Sequence, residues 1–289
     1  MTRREFHRRV LAAAAALAAL PVSRFAAAAE ASAAERRHYE VMMKLFNDLA
    51  GGESAKLKQM FPAKQRQIAM LAYPGMFPLD FIIPHQLFTG MFQTQVHIVA
   101  EELKPISAGP GIAVLPTTLP AACPDDLDVL FVPGGLDGTA KLMRNQAMLD
   151  WLRERAKSAR YVTSVCTGSL VLGAAGLLKG RRAATYWAVR DVLTTLGATP
   201  VVARTVEDGK FITAGGVTAG MDFGLRIVAK LASENYAQAL QLYFEYDPAP
   251  PFNAGSPETA APEVTAAMRE MYADGIATLR EAAVSSGKG

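Results

Sequence analysis

Cysteine is scarce in this chain: Cys123 and Cys166 are the only two among 289 residues. That excludes a disulfide framework, so the fold must hold by packing. Histidine is limited to four positions with none after His97, so a cysteine–histidine dyad would have to use His85 or His97. Long apolar runs are missing too. The best candidate, Val10 to Leu20, falls short of the roughly 20 residues that a membrane-spanning helix needs. Neither coiled-coil heptads nor internal repeats are visible. Charge of one sign is also lacking in the body of the chain. The formal net charge of +3 comes from residues 1–29, where Arg3, Arg4, Arg8, Arg9 and Arg24 stand against Glu5. The remaining residues carry 25 basic and 26 acidic side chains, which excludes the electrostatic footprint of a DNA- or RNA-binding surface. What is present is apolar mass: 51% hydrophobic against 20% charged, enough for a globular core.

The arginine-rich start reads as an address. Thr2 to Arg8 is a basic region, Val10 to Leu20 an apolar stretch, and Ala26 to Ala29 a small-residue cleavage zone. The Arg3–Arg4 pair followed by Phe6 resembles a twin-arginine export signal, with an ordinary Sec signal or an uncleaved interfacial anchor as alternatives. The expected layout is a signal peptide at 1–29, a helical linker or extension at 30–65, an α/β domain at 66–245, and a C-terminal tail and helix at 246–289. A periplasmic or otherwise exported protein follows from it.

From Gln67 the chain alternates strands and helices. Gln67–Tyr73, Gln95–Ala100, Val129–Pro133 and Tyr161–Val165 read as strands, the buried ones as continuous apolar runs. Pro105 to Pro116 reads as a hairpin around Gly109–Gly111. A second hairpin is expected from Val201–Thr205 and Lys210–Thr213 around Asp208–Gly209. Leu79–Thr89, Ala147–Ser158, Thr167–Ala174, Thr218–Leu231 and Glu234–Phe244 read as helices. This alternation predicts a doubly wound α/β sheet whose site lies at the carboxyl ends of its strands.

The chemistry concentrates at Thr163-Ser164-Val165-Cys166-Thr167-Gly168-Ser169. A strand runs into a cysteine and a helix begins at once, with small residues after it. This is the pattern of a nucleophile elbow, a turn tight enough to push the side chain above the sheet. A helix start also favours thiolate over thiol. The competing reading is a buried structural cysteine. Gly134 and Gly135, ending the neighbouring strand, could turn backbone N–H groups toward a developing negative charge or simply stop the strand. Asp80 is either a helix cap or a buried carboxyl beside the sulfur, kept protonated and able to donate.

The segments Leu79-Asp80, Pro133 to Gly135, Thr163 to Leu178 and Gly215 to Phe223, with the tail Glu245 to Ala260, resemble the ThiJ/PfpI superfamily, most closely its bacterial isonitrile hydratase branch. The resemblance implies a flavodoxin-like sandwich, a homodimer, a small-molecule substrate, and no metal or organic cofactor. It implies Cys166 as the nucleophile, Thr167 as the hydroxyl that follows it, Asp80 as the acidic partner, and Gly134 and Gly135 beside the pocket. The implied reaction converts isonitriles to N-substituted formamides. Another cysteine hydrolase or amidotransferase-like activity is the first alternative, and a non-catalytic thiol- or ligand-sensing module the second.

Two positions depart from the pattern. Many relatives carry a histidine where this chain has Tyr186, in Ala184-Thr185-Tyr186-Trp187, and Ile83 stands where glycine is frequent before proline, which would narrow the pocket. His85 reads as a rim residue. Tyr186 and Trp187 are expected to line the cleft or the core. Asp222 reads as a satisfied buried carboxylate, Cys123 as a loop residue open to oxidation in an exported protein, and Asp125, Asp126 and Asp128 as a solvated turn rather than a metal site.

Overall fold

A computed structural model of the chain describes Pro62 and residues 64–286, together with Arg37, Val41 and Lys44. The expected signal segment and most of the 30–65 extension lie outside the described residues. Backbone packing divides the chain into Met1–Leu57 and Lys58–Gly289. In the first unit the three described residues are helical; everything below concerns the second.

Its centre is a six-stranded sheet. In chain order the strands are β1 (Arg66–Leu71), β2 (Thr94–Val99), β5 (Val129–Val132), β6 (Tyr161–Val165), β9 (Thr205–Asp208) and β10 (Phe211–Ala214). Across the sheet they run β2-β1-β5-β6-β10-β9, all parallel except the edge strand β9, which is antiparallel to β10. Two small pairs stand apart, β3 (Ile106–Gly109) with β4 (Ile112–Val114) and β7 (Arg182–Ala183) with β8 (Thr199–Pro200). Every residue of β5 and β10 is buried, as a strand covered on both faces requires.

Two groups of helices cover the sheet. α1 (Pro78–Thr89) packs on α6 (Ala219–Leu231), which in turn packs on α7 (Glu234–Tyr243). α4 (Gly168–Ala174) gathers α2 (Asp137–Leu142), α3 (Gln146–Ser158), α5 (Arg190–Thr195) and α9 (Ala273–Ser286), with α8 (Pro262–Met271) leading into α9. Phe88, Phe131 and Phe223 join α1, β5 and α6 through ring contacts of 5.8–6.2 Å. All three are fully buried, each worth roughly 2–3 kcal/mol of apolar burial. Among the described residues no helix is long and apolar enough to cross a membrane. The architecture is a flavodoxin-like α/β sandwich.

Three local readings need correction. The second hairpin does not use Val201–Thr205. Its first arm is Thr205–Asp208, because the Phe211–Asp208 pairing leaves only Gly209 and Lys210 as the loop. α2 and α5 were not anticipated: each has six residues, too few to show a period in sequence. The C-terminal region carries two helices, α8 and α9, rather than one.

Candidate active site

The sheet order places the carboxyl ends of β1, β5, β6 and β10 side by side, and the loops leaving them build the site. β6 ends at Val165, α4 begins at Gly168, and Cys166 makes the turn with φ 59°. That left-handed conformation is uncommon for a residue with a Cβ and marks the elbow as a held position. Several bonds hold it. The Cys166 N–H donates to Ala214 O at 3.1 Å and also to Gly215 O; its carbonyl accepts from Thr185 Oγ1 at 3.1 Å and Ser169 Oγ at 3.2 Å. The following helix can start so close to β5 only because residue 168 is glycine: any Cβ there would run into the Val132 carbonyl. Local sequence and β-sheet neighbours therefore agree on one conformation.

Asp80 comes to Cys166 through the β1–α1 loop. Met76 bridges Gly135, and Phe77 N donates to Gly134 O at 2.7 Å, which sets the start of α1 against the β5 loop. The cap position belongs to Phe77, so Asp80 is the third residue of the helix and does not cap it. Its side chain is fully buried. A Cβ on Gly134 would lie 2.7 Å from Asp80 Oδ2, Cys166 Cβ and Thr167 N alike, so glycine at 134 is what lets these groups converge.

Burial pushes the Asp80 carboxyl up to about 7, against the pull of the Cys166 thiol and the Gly134 N–H. These two lie near enough to act on the charge without closing a hydrogen bond of normal geometry, since neither Asp80 oxygen has such a partner. The Cys166 thiol is pushed well above its ordinary value, first by burial, then by the charge and close approach of Asp80. The Thr167 N–H and hydroxyl oppose this. The helix start alone does not yield a thiolate, contrary to the simple reading of the elbow. The thiol is therefore the harder of the two groups to ionise, and a thiolate facing a protonated carboxyl arises only when the proton moves from sulfur to Asp80.

Thr167 does more structural duty than its place after the cysteine implied. Its hydroxyl accepts from Gly135 N–H at 2.8 Å, donates to Gly135 O, and meets Thr139 Oγ1 at 2.8 Å. Thr139 continues to Tyr73 at 3.1 Å, and Tyr73 donates to Pro133 O at 2.8 Å. Gly135 N–H is therefore engaged, and of the glycine pair it is the Gly134 N–H that acts on the Asp80 carboxyl. Tyr73 and Thr139 gave no sequence signal: one lies two residues past β1, the other sits in an unanticipated helix.

On the opposite side, Tyr186 Cδ2 and Cys166 Sγ lie 2.9 and 3.1 Å from where a Gly216 Cβ would stand. Tyr186 thus stands near the sulfur, both crowding Gly216, and is partly buried. Its phenol is raised to about 12, chiefly by burial, so it is neutral and cannot replace a histidine as a base near neutral pH. His85 stacks on Phe81 at 5.9 Å. His97 is held by Gln67 at 2.7 Å and Thr118 at 3.3 Å. Neither acts on the cysteine. Ile83 turns toward Gly220 of α6, 3.7 Å from its Cβ position, a helix contact rather than a pocket wall.

The remaining candidates lie elsewhere. Asp222 is not buried: it is partly exposed, pairs with Arg204, and accepts from Tyr246 Oη at 2.9 Å. Cys123 is buried behind a short 3-10 turn and, like Cys166, is a free thiol. Asp125 and Asp126 pair with Arg155 and Lys64, while Asp128 accepts from Gln67 N–H at 3.0 Å. Among the described residues no cluster of three or more His, Cys, Asp or Glu side chains could hold a metal.

Known proteins share this fold. Over 210 residues the chain is 48% identical to the isonitrile hydratase of Pseudomonas putida, covering 73% of this chain and 91% of that one. A ThiJ/PfpI family protein from Pseudomonas syringae superposes with a TM-score of 0.74 at 47% identity, over 76% of this chain and 90% of the other. Drosophila melanogaster DJ-1beta shares the fold with a TM-score of 0.58 at 22% identity, over 63% of this chain and 98% of its own. Residues 66–230 match the DJ-1/PfpI family, and the chain belongs to it.

Proposed function

We propose that the protein is a cysteine-dependent hydratase that converts isonitriles to N-substituted formamides. The observation that carries this is the buried, unpartnered Asp80 carboxyl beside a cysteine held at positive φ; near-half identity to an isonitrile hydratase over most of its length supports the substrate class. An isonitrile carbon takes a nucleophile and a proton at the same atom, and this pair offers both from adjacent positions. Cys166 Sγ attacks the terminal carbon of R–N≡C while Asp80 protonates that carbon, giving the thioimidate R–N=CH–S–Cys166. Asp80, now ionised, takes a proton from water as the hydroxide adds to carbon, and passes that proton to nitrogen. Collapse of R–NH–CH(OH)–S–Cys166 breaks the C–S bond, returns the hydroxyl proton to Asp80 and releases R–NH–CHO with the thiolate restored. One water is consumed and the pair ends as it began. Thr167 holds the Gly135 loop in register, and the Gly134 N–H steadies Asp80 while it is charged.

The test is formamide formation from a panel of small isonitriles by the wild type and by Cys166→Ala. Formamide at equal rates from both would remove the cysteine from the reaction, and none from the wild type would remove the reaction from the protein.

The proposal extends to place and assembly. Arg3 and Arg4 address the folded protein to the periplasm, and the working form is a homodimer. Arg3→Lys with Arg4→Lys keeps the charge but alters the guanidinium pair, so fractionation is expected to find the variant retained in the cytoplasm. Export at normal yield would replace twin-arginine export by the Sec route. Sedimentation equilibrium at micromolar concentration decides the dimer.

A further inference from the structure

A cleft of about 480 Å³ opens between the edge strand β9, α6 and the end of α7, and its lining contains neither Cys166 nor Asp80. Asp222, Leu225 and Arg226 reach it from one face of α6, being three and four residues apart. After α7 the chain turns at Glu245, with φ 48°, and the Tyr246 N–H donates to Gln241 O at 3.0 Å. This turn brings Tyr246 back to α6, where its hydroxyl donates to Asp222 Oδ1 at 2.9 Å. Arg204, just before β9, pairs with Asp222 Oδ2. The Tyr246 phenol is raised by burial and then by its hydrogen bond to Asp222, so it stays neutral. Asp222 is thus met by two donors. Arg226 is not engaged: among the described residues it has no ion pair and no hydrogen bond. Thr205 Oγ1, in the same lining, also has no partner. Glu245 and Asp247 flank Tyr246 but are exposed and lie outside the lining, and Glu207 of β9 is held by Lys230 at 2.7 Å. Gln241 and Tyr246 lie beyond residue 230, where the family match ends.

We propose that this cleft is a second ligand site, and that it takes a monocarboxylate with an apolar body: the carboxylate on Arg226, the body against Leu225 and Ala203. The site goes beyond the hydratase reading and does not depend on it. Charge selects the ligand class. Two guanidinium groups and one carboxylate line the cleft, so one positive charge is in excess near neutral pH. A monoanion balances that excess, whereas a phosphate dianion overshoots it beside Asp222. Arg204 is already committed to Asp222, which leaves the Arg226 guanidinium as the free fork, a shape that matches the two oxygens of a carboxylate. The volume is far larger than a carboxylate alone and leaves room for a ring or a short chain. Apolar surface beside one orienting charge is the usual composition of a small-molecule site.

The test is a titration of the purified protein with 4-fluorobenzoate, followed by fluorine NMR of the probe, beside its uncharged counterpart 4-fluorobenzamide. The benzoate should bind with a Kd on the order of 1 mM, as suits a ligand of this size, and the amide at least about tenfold more weakly. Arg226→Ala should weaken the benzoate by about tenfold or more, and Arg226→Lys, which keeps the charge but loses the fork, by less. Lys141→Ala removes an equal exposed charge from α2, outside the cleft. It should leave the Kd within about twofold, because a distant exposed charge is screened. Cys166→Ala should also leave it unchanged. Inorganic phosphate should displace the probe only at several times the probe's own concentration. Equal binding of benzoate and benzamide would overturn the proposal, and so would an unchanged Kd in Arg226→Ala. Loss of binding in Cys166→Ala would move the probe to the other site and overturn it as well. Displacement by phosphate at equal or lower concentration would overturn the choice of a monocarboxylate.

Discussion

The two cysteines are almost equally hidden, Cys123 at 6% exposure and Cys166 at 7%, yet they live in opposite circumstances. Cys123 closes a 3-10 turn with ordinary extended backbone, φ −71° and ψ 132°. Its thiol is raised to about 11 by burial, with only Arg155 favouring the anion. Cys166 sits at positive φ, takes the Thr167 N–H, and faces a carboxyl that is itself raised. Burial raises both thiols, so burial does not separate them. What separates them is a neighbouring carboxyl, Asp80, that is itself raised.

The sharpest way to break this comparison is to remove each thiol in turn. Cys166→Ser is expected to lower formamide formation by at least about a thousandfold, because a hydroxyl has no comparable anion near neutral pH. Cys123→Ser should leave kcat/KM within about twofold and cost about 1–3 kcal/mol of stability for a hydroxyl buried in place of sulfur. Equal losses in the two variants would erase the distinction.

Next comes the proton partner. Asp80→Asn should lower kcat on the order of a hundredfold with little change in KM, the signature of a group used in the transition state. It should also move the pH midpoint of Cys166 alkylation downward, since the carboxylate charge that opposes the thiolate is gone. An unmoved midpoint would mean that the Asp80 charge does not act on the Cys166 thiol.

The same substitution has an opposite effect on stability. The folded carboxyl titrates at about 7 against an ordinary 3.8, so between those values the folded state holds a proton that the unfolded chain has released. Stability therefore falls as pH rises through this window. A neutral amide at this position escapes that loss. Urea unfolding of Asp80→Asn should match the wild type near pH 4 and exceed it near pH 8, by on the order of 4 kcal/mol at most. Equal gains at both pH values would show that the carboxyl is not raised by burial. The smallest effect is expected from Tyr186→His: near pH 7 the proton pair already supplies acid and base, so kcat should change less than about threefold.

How far the sequence reaches follows from the same contrast. The elbow was legible because its requirements are local: a strand, a cysteine, then Thr167, Gly168 and Ser169 within one turn. Asp80 was legible as a candidate, but its two readings separated only when the fold gave the cap position to Phe77. A carboxyl kept protonated beside the sulfur was one of those readings; the convergence that places it there was not legible, because it depends on Gly134 leaving room for three groups. The packing around Tyr186 was the least visible part. Tyr186 stood out, but Tyr272 lies 86 residues on in a segment with no motif, and nothing near it in sequence hints at the ring it touches. The displaced hairpin arm has another cause: Asp208–Gly209 marks a turn without stating how many residues span it.

The positive φ at residue 166 reverses the usual ranking of substitutions there. In most strand-to-helix turns alanine is a mild replacement and glycine a costly one. At this turn any side chain adds about 1–2 kcal/mol of backbone conflict that glycine does not feel. The cysteine is kept against the preference of the chain that carries it, so loss of the chemistry and relief of the backbone lie in the same direction. Descendants of this protein that no longer need the reaction should drift to glycine or asparagine at this one position while the rest of the elbow stays intact.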